Sequence, residues 1–328
     1  MAESAQFDRY EITRLLGAGG MGKVYEGIDP SQDRRVAIKV LHRQLCSQGD
    51  FRRRFLREAR ILANLKHKSI TQFHEAGESE DDLYLVMEFV DGQTLEDCLT
   101  VGMYRSPQHA LQVVRQVCEA LDYAHHYGIV HRDIKPSNVM IKPSGEVMLM
   151  DFGIARADSE SGITQEGQAL GTPQYMSPEQ CKGAKIDGRS DIYSLAIVLY
   201  EMLTGVRPFE GETFLLVVNK QVNATPSPVS THVASIPRPM VMAISKALSK
   251  NAMYRQQTAM QFYEELAGSG AQLPKAPASG SVRAKSKPGP TVKVAQGRRR
   301  RILLGVAALA AAALVGLAGW MFVLVSQA

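Results

Sequence analysis

The stretch that decides the fold is "HRDIKPSN", which runs from His131 to Asn138. It holds an acid, two bases and an amide close together, with a proline between them. By itself it fits either of two interpretations, a polar loop that follows a helix or a catalytic loop. The other motifs of the chain must decide between them.

Two motifs follow on the C-terminal side. The tripeptide "DFG" occupies residues 151–153, and "GTPQYMSPE" occupies residues 171–179. The first stretch has the spacing H-R-D-x-x-x-x-N, and the last has the A-P-E pattern with Ser177 in place of alanine. A three-residue match is common by chance, whereas the ordered set at these separations is not. The order favours a catalytic loop.

A glycine-rich motif lies near the N-terminus. The sequence "GAGGMG" (residues 17–22) lies between "YEITRLLGAGG" and "GKVYEGIDP", which we predict to be strands. In a dinucleotide-binding fold the glycines would open a helix instead. A glycine loop between two strands indicates a hairpin that can cover phosphates with its backbone N–H groups.

The next two segments offer a lysine and a carboxylate. "RRVAIKVL" predicts a strand that carries Lys39. "FRRRFLREARILANL" has apolar residues at helical spacing and carries Glu58. We expect Glu58 to orient Lys39. The alternative is that Glu58 pairs with Arg54 or Arg57 on a solvated helix face.

Taken together, residues 7–266 resemble a Hanks-type protein kinase. The sequences "GAGGMGKVYEG", "HRDIKPSN" and "GTPQYMSPEQ" are similar especially to those of bacterial membrane-anchored Ser/Thr kinases. The resemblance implies an α+β fold of two lobes, with a small β-rich N-lobe and a larger helical C-lobe. It also implies that ATP binds in the cleft with Mg²⁺, or with Mn²⁺ in its place.

The motifs assign roles to individual residues. Asp133 would accept the proton of the substrate hydroxyl, and Lys135 would neutralise charge on the transferred group. Thr172 would contact Asp133 and shape the acceptor site. The expected metal ligands are Asn138 and Asp151.

The expected nucleotide site combines the glycine hairpin, Lys39 and the hinge. The resemblance implies that Met87 is the gatekeeper and that residues 88–90 contact the adenine. The expected nucleotide-binding residues are Leu16, Gly17, Ala18, Gly19, Gly20, Met21, Gly22, Lys23, Val24, Lys39, Glu88 and Val90.

Two further residues are expected to support the loop. "DIYSLAIVLYEMLTG" predicts a buried helix with an aspartate cap, and its Asp191 resembles the residue that braces the catalytic loop. Arg255 is the expected salt-bridge partner of Glu179. A second helix is predicted from Ser106, which precedes Pro107 in "SPQHALQVVRQVCEALDYAHHYG".

Regulation is expected in the segment between "DFG" and "GTP". Thr164 is the expected phosphosite, with Ser159 and Ser161 as alternatives, and Arg132 is the expected partner of the phosphate. Autophosphorylation between two copies would require at least a transient homodimer. Glu166 is hypothesised to supply a permanent negative charge.

Charge is divided unevenly along the chain. Nine Lys and Arg residues follow Glu265, but no Asp or Glu does. The part of the chain up to Glu265 holds 29 basic and 33 acidic residues. Residues 267–301 are rich in Gly, Pro, Ala, Ser and Lys, which predicts a disordered linker. Residues 302–325 are uncharged and follow four arginines, which predicts one transmembrane helix.

These patterns predict a single-pass protein of the inner (plasma) membrane with a cytoplasmic kinase domain. No apolar run follows Met1, so we expect no signal peptide. The four scattered cysteines suit a reducing compartment. We expect no nucleic-acid partner, because the excess positive charge lies beside an apolar segment.

The expected activity is transfer of phosphate from ATP to Ser and Thr hydroxyls of proteins, because Lys135 gives the loop the D-x-K-x-x-N pattern of Ser/Thr kinases. One alternative is a pseudokinase scaffold, which the presence of Lys39, Asp133, Asn138 and Asp151 disfavours. Another is a membrane adaptor that recruits partners through its linker.

Overall fold

The structure, a computed structural model of the chain, describes residues 6–20, 22–43, 49–79, 82–153 and 172–268. The predicted phosphosite Thr164, the predicted linker from residue 269 onward and the apolar segment lie outside the described residues. Ala267 and Gly268, which were also predicted to belong to the linker, instead end the last described helix. Among the residues that are described, no helix is long and apolar enough to cross a membrane.

The N-terminal lobe is built on an antiparallel sheet of six strands in the order β1-β2-β3-β4-β6-β5. The three strands predicted from residues 10 to 41 are confirmed. The strands are β1 (Gln6–Phe7), β2 (Tyr10–Gly19), β3 (Gly22–Asp29), β4 (Arg34–Leu41), β5 (Phe73–Ser79) and β6 (Asp82–Glu88).

Helix α1 (Gly49–Leu62) packs on one face of this sheet. Phe51, Phe55 and Ala59 are spaced one turn apart and are buried, which makes one side of the helix apolar and explains why it docks there. The opposite face of the sheet has its own cluster, which includes Tyr10 and Tyr84. The sheet therefore contributes to two hydrophobic clusters.

The C-terminal lobe is mainly helical, with one continuous hydrophobic core around the buried helix α5. A small three-stranded sheet in the order β7-β8-β9 lies at its upper edge. The elements are β7 (Gln93–Thr94), α2 (Leu95–Thr100), α3 (Pro107–His126), β8 (Val139–Ile141), β9 (Val147–Leu149), α4 (Pro178–Cys181), α5 (Gly188–Thr204), α6 (Phe214–Asn223), α7 (Arg238–Ala247) and α8 (Ala259–Ala267).

Local sequence explains where the two longest helices of this lobe begin. Ser106 caps α3 by accepting the N–H of His109 at 3.3 Å, and Pro107 is the first helical residue, as predicted. Helix α5 is capped by Asp187, not by Asp191 as predicted. Asp187 accepts the N–H of Arg189 at 3.0 Å, so the helix begins earlier than predicted.

The two lobes are joined by backbone hydrogen bonds beneath the sheet. The N–H of Thr71 donates to the carbonyl of Leu149 at 3.0 Å, and the N–H of Leu149 donates to the carbonyl of Ser69 at 2.9 Å. Leu149 is two residues before Asp151, so this contact places the "DFG" turn directly below β4 and α1.

Candidate active site

The glycine motif forms the tip of the hairpin between β2 and β3. Gly19 pairs with Gly22, and Ala18 pairs with Lys23, so the predicted hairpin is confirmed. Gly22 has φ +155°, and a Cβ there would collide with the carbonyl of Val40. A Cβ on Gly17 or Gly19 would meet open space, so contacts within the protein do not require glycine at these two positions.

The cleft between the two lobes holds several predicted residues. Met87, Lys39, Asp133 and Asp151 line one cavity of this cleft. The N–H of Glu88 donates to the carbonyl of Gln72 at 2.9 Å, which fixes the end of β6. The binding of adenine by Glu88 and Val90 stays a prediction.

Lys39 lies on β4 opposite Val24 and Leu85. Its Nζ lies 2.8 Å from Oδ2 of Asp151. We expected Glu58 to be its partner, but within the described residues Asp151 is the carboxylate at ion-pair distance. Glu58 lines a separate depression with Arg132. The cause is geometric, because in this conformation the Asp151 carboxylate occupies the position beside the ammonium group.

The catalytic loop brings three predicted residues together. Asn138 Nδ2 donates to the backbone carbonyl of Asp133 at 2.8 Å and to its Oδ2 at 3.1 Å. Lys135 Nζ lies 3.1 Å from the same Oδ2. Asn138 is buried in the short 3₁₀ turn Pro136–Asn138, so the amide holds the Asp133 carboxylate from within the loop.

Asp191 braces this loop, as predicted. Its carboxylate accepts the backbone N–H groups of His131 and Arg132, each at 2.8 Å. Arg132 has φ +67°, a left-handed conformation that is unusual outside glycine, and these bonds help to hold it. The brace therefore fixes the backbone immediately before Asp133.

His125 is a functional candidate that the sequence analysis missed. Its Nε2 lies 2.8 Å from Oδ2 of Asp191. Burial lowers the pKa of His125, but the hydrogen bond and charge of Asp191 outweigh burial, so the pKa is raised. Burial raises the pKa of Asp191, but the interactions with His125 and with the backbone N–H of His131 outweigh burial, so the pKa of Asp191 is lowered. Nothing in "YAHHYG" distinguishes this histidine from its neighbour.

The donor set beside the loop fits a hard divalent cation. The N–H of Met150 donates to the carbonyl of Asn138 at 2.9 Å, which places Asn138 next to Asp151. One amide and one carboxylate suit Mg²⁺, which usually binds few protein oxygens and completes its shell with phosphates and water. No cluster of three or more His, Cys, Asp or Glu able to hold a metal occurs in the described part of the chain.

Thr172 does not make the predicted contact. It precedes the 3₁₀ turn Pro173–Tyr175, and its carbonyl accepts the N–H of Tyr175 at 3.3 Å. Lys135 and Asn138 bind the Asp133 side chain. Thr172 immediately follows the undescribed residues 154–171, and its contact with Asp133 stays a prediction for another conformation.

The predicted salt bridge between Arg255 and Glu179 is confirmed. The two guanidinium nitrogens of Arg255 lie 2.7 and 2.8 Å from the two carboxylate oxygens of Glu179. The Arg255 side chain is fully buried. Next to Glu179, Gln180 Nε2 donates to the carbonyl of Arg132 at 2.7 Å. This bond links α4 to the catalytic loop.

The fold and this constellation are those of a protein kinase, and comparison with known sequences agrees. The family model for the protein kinase domain matches residues 10–265. The chain therefore belongs to the protein kinase family.

Relatives place it among the bacterial Hanks-type Ser/Thr kinases. Over 265 residues it is 42% identical to serine/threonine-protein kinase PknB of Mycobacterium tuberculosis, covering 79% of this chain and 42% of that protein. It is 40% identical over 269 residues to a probable serine/threonine-protein kinase PknB of Bifidobacterium longum, covering 79% and 39%. The chain thus spans about two fifths of the length of these relatives.

Solved structures agree on the fold. The crystal structure of the M. tuberculosis PknI kinase domain superposes with a TM-score of 0.66 at 30% identity. The match covers 82% of this chain and 100% of that one. The two-lobed fold predicted from the sequence is confirmed for the described residues.

Proposed function

We propose that the chain transfers the γ-phosphoryl group of ATP to Ser and Thr hydroxyls of proteins. The observation that carries the proposal is the arrangement around Asp133. Its carboxylate is held by Lys135 and Asn138, and Asp133 lines the same cavity as Lys39 and Asp151. A base, two cations and a pair of metal-binding oxygens thus face one cleft.

Each residue has a task that its chemistry allows. Asp133 would accept the proton of the attacking hydroxyl and align that group. Lys135 would balance negative charge on the group in transfer. Lys39 would hold the phosphates of ATP, and the glycine hairpin would cover them. Mg²⁺, held by Asn138 and Asp151, would supply positive charge to the phosphate oxygens.

Transfer would require an exchange of ion pairs in the cleft. Phosphoryl transfer by a protein kinase requires an ion pair between the lysine on the strand and the glutamate on the helix. It also requires that the "DFG" aspartate binds the metal. In the structure Lys39 is paired with Asp151. We propose that nucleotide and metal release Asp151 from Lys39, and that Glu58 then becomes the partner of Lys39.

We further propose that the kinase phosphorylates itself on Thr164. The support is the position of Arg132 directly before Asp133, where an arginine can bind the new phosphate. Phosphorylation in trans would proceed through a transient homodimer.

We also propose that the chain is anchored in the plasma membrane by residues 302–325. The support is compositional, namely 24 uncharged residues preceded by four arginines, which favour the cytoplasmic side. Residues 269–301, which follow the C-terminal cap of α8, would form the linker, and the kinase domain would be cytoplasmic.

The test of the phosphotransfer proposal uses the purified 328-residue chain in detergent, with Asp133→Asn as the matched control. Both proteins are incubated with ATP and Mg²⁺, and phosphosites are mapped by mass spectrometry. We expect phosphate on Thr164 in the wild type but not in the variant. All phosphate should be on Ser and Thr residues and none on Tyr. Chelation of the metal should abolish the reaction. Equal labelling in both proteins would indicate a contaminating kinase.

A scaffold would give a different result. If neither protein incorporates phosphate, even with a generic Ser/Thr substrate and after treatment with an upstream kinase, the binding-scaffold interpretation replaces the enzyme. Nucleotide binding measured on the same samples would then show whether the cleft still holds ATP.

A further inference from the structure

Gln180, the third residue of helix α4, uses both ends of its side-chain amide. Its Oε1 accepts the backbone N–H of Ser177 at 2.9 Å, and its Nε2 donates to the backbone carbonyl of Arg132 at 2.7 Å. The first partner can only donate and the second can only accept, so an amide rotated by half a turn would lose both bonds. The side chain therefore joins the start of α4 to the catalytic loop in one defined orientation.

The end of the amide that binds Ser177 is part of a capping box. Ser177 Oγ accepts the backbone N–H of Gln180 at 3.3 Å, so the two residues bind each other reciprocally. Ser177 is fully buried, and the turn before it is tied to α5, because Ser194 Oγ donates to the carbonyl of Tyr175 at 2.7 Å. The Gln180 side chain thus extends from a segment whose own position is fixed.

The end of the amide that binds Arg132 acts on the peptide bond between Arg132 and Asp133. Gln180 holds the carbonyl of this peptide. Its N–H, which belongs to Asp133, donates to Nδ1 of His131 at 3.2 Å. Asp191 accepts the N–H of Arg132, which lies on the other side of the Arg132 α-carbon. The brace from Asp191 therefore does not restrain this peptide directly, whereas Gln180 does.

This peptide needs such a restraint. Arg132 has φ +67°, a left-handed conformation that residues with a side chain adopt only when their surroundings hold them there. Rotation of the peptide would turn the Arg132 carbonyl away from α4 and would redirect the following residue, Asp133. A donor fixed opposite the carbonyl opposes this rotation.

We propose that Gln180 is a positioning residue for phosphoryl transfer, because its amide fixes the peptide that directs the Asp133 carboxylate. This inference rests on the proposed function, in which Asp133 aligns the acceptor hydroxyl. The same amide is bound to Ser177, which lies five residues after Thr172, the residue expected to shape the acceptor site. Gln180 would therefore hold the base and the acceptor side of the cleft in a constant relative position.

The test separates the two ends of the amide. Gln180→Glu keeps an oxygen for the Ser177 N–H, and glutamate is a usual partner in a capping box, but its carboxylate cannot donate to the Arg132 carbonyl. Gln180→Ala removes both bonds. Ser177→Ala is the matched control, because it removes the capping hydroxyl and leaves both side-chain bonds of Gln180 possible. Alanine is also the residue of the A-P-E pattern at this position.

Steady-state kinetics measure the effect on the reaction, using the 328-residue chain in detergent, dephosphorylated beforehand, with ATP, Mg²⁺ and a Ser/Thr peptide. We expect Gln180→Glu and Gln180→Ala to lower kcat by about tenfold, since a misplacement of about 1 Å can cost about 100-fold and this one is partial. The KM for ATP should not change, because the residues expected to bind ATP do not include Gln180. Ser177→Ala should keep the wild-type kcat.

Hydrogen exchange measured by mass spectrometry without ATP tests the restraint on the loop by itself. Peptides that cover residues 129–135 should exchange faster in Gln180→Glu than in the wild type, and Ser177→Ala should match the wild type. Thermal unfolding of all the proteins checks that each is folded. A purely structural role of Gln180 would lower the unfolding temperature without changing kcat.

Two outcomes would overturn the proposal. The first is wild-type kcat and exchange in Gln180→Glu together with a loss in Gln180→Ala, which would show that the side chain acts only as a cap. The second is an equal loss of kcat in Ser177→Ala, which would assign the effect to the start of α4 and not to the bond with Arg132. An inactive wild type would refute the proposed function instead, and the exchange rates would still show whether Gln180 holds the loop.

Discussion

Two ion pairs of this kinase differ in how completely the fold determines them. Arg255 and Glu179 meet through two bonds of 2.7 and 2.8 Å, and their side chains are 0% and 14% exposed. Lys39 and Asp151 meet through one contact of 2.8 Å across the cleft, and their side chains are 17% and 29% exposed. Arg255 also donates to three backbone carbonyls, including that of Ser249 at 2.8 Å.

The difference separates a structural pair from a pair that can exchange partners. Burial raises the pKa of Glu179, but the hydrogen bonds and charge of Arg255 outweigh burial and lower it, so the carboxylate stays ionised. All polar groups of Arg255 have partners that the fold supplies. Lys39 has one, and Glu58 is another carboxylate that it could bind. The first pair should affect stability, and the second should affect catalysis.

The largest expected effect is on the structural pair. Arg255→Met should lower the free energy of unfolding by about 3–5 kcal/mol, because it leaves the Glu179 carboxylate buried without its cation. Urea titration of residues 1–268 followed by circular dichroism measures the change. The double variant Glu179→Gln/Arg255→Met is the control and should be less destabilised than the sum of the single variants. A loss below about 1 kcal/mol would contradict the assignment.

Lys39→Met should show the opposite behaviour. The free energy of unfolding should change by less than about 1 kcal/mol, since the pair is partly exposed and has one contact. Phosphotransfer should fall by about 100-fold or more, because the cation that would hold the phosphates of ATP is lost. A radiolabel assay with a Ser/Thr peptide measures the rate. A large loss of stability together with intact activity would reverse the roles of the two pairs.

The same distinction explains what the sequence could predict. The hairpin and the helix of "FRRRFLREARILANL" followed from local periodicity and motifs. The roles of Asp191 and Arg255 followed from the family resemblance, because each occupies one position in the fold. The partner of Lys39 and the contact of Thr172 were predicted differently from what the structure has. Both contacts depend on the conformation of the cleft. A sequence motif identifies the residues of the site, but it does not indicate which of them are in contact in a given conformation.

Other features were missed because their pattern is not local. His125 reaches Asp191 across 66 residues of sequence, and its neighbour His126 has the same chemistry. The helix periodicity alone does not reveal which of the two faces the brace. The cap of α5 was misplaced because two aspartates, Asp187 and Asp191, lie one turn apart and either fits the cap pattern.

The pH dependence of the free energy of unfolding tests a third ion pair, the one between His125 and Asp191. The pKa of His125 is raised, so the folded state binds this proton more tightly than the unfolded state does. The stabilisation is complete below the unfolded histidine pKa of about 6.5 and is lost as the pH rises through the higher folded value. Unfolding measured from about pH 6 upward should therefore show a decline.

His125→Gln is the control for this decline, since glutamine can donate a hydrogen bond to Asp191 but does not titrate. Lys250, whose pKa burial lowers to about 8, contributes a slope of the opposite sign at higher pH. The informative quantity is therefore the difference between the wild type and the variant at each pH. Parallel curves would show that the proton on His125 contributes nothing to stability.

The smallest expected effect compares the two aspartates of α5. Asp187 is 49% exposed, pairs with Arg189 and caps the helix, whereas Asp191 is 1% exposed and holds two loop N–H groups. Asp187→Ala should lower the free energy of unfolding by about 1 kcal/mol through the lost cap and leave phosphotransfer unchanged. Asp187→Asn should recover part of this loss, because the amide oxygen can still accept the Arg189 N–H.

Asp191→Asn is the matched comparison for Asp187→Ala. Asparagine keeps one acceptor oxygen, so it can still accept one of the two loop N–H groups, but it places an NH2 group beside the other. The substitution also removes the negative charge that contacts His125. We therefore expect it to lower both stability and the rate, measured by urea titration and by the peptide assay. If Asp187→Ala reduced the rate as much as Asp191→Asn does, the exposed cap would also position the catalytic loop. The start of α5 would then be a third kind of region, one that affects both the stability of the fold and the rate of phosphotransfer.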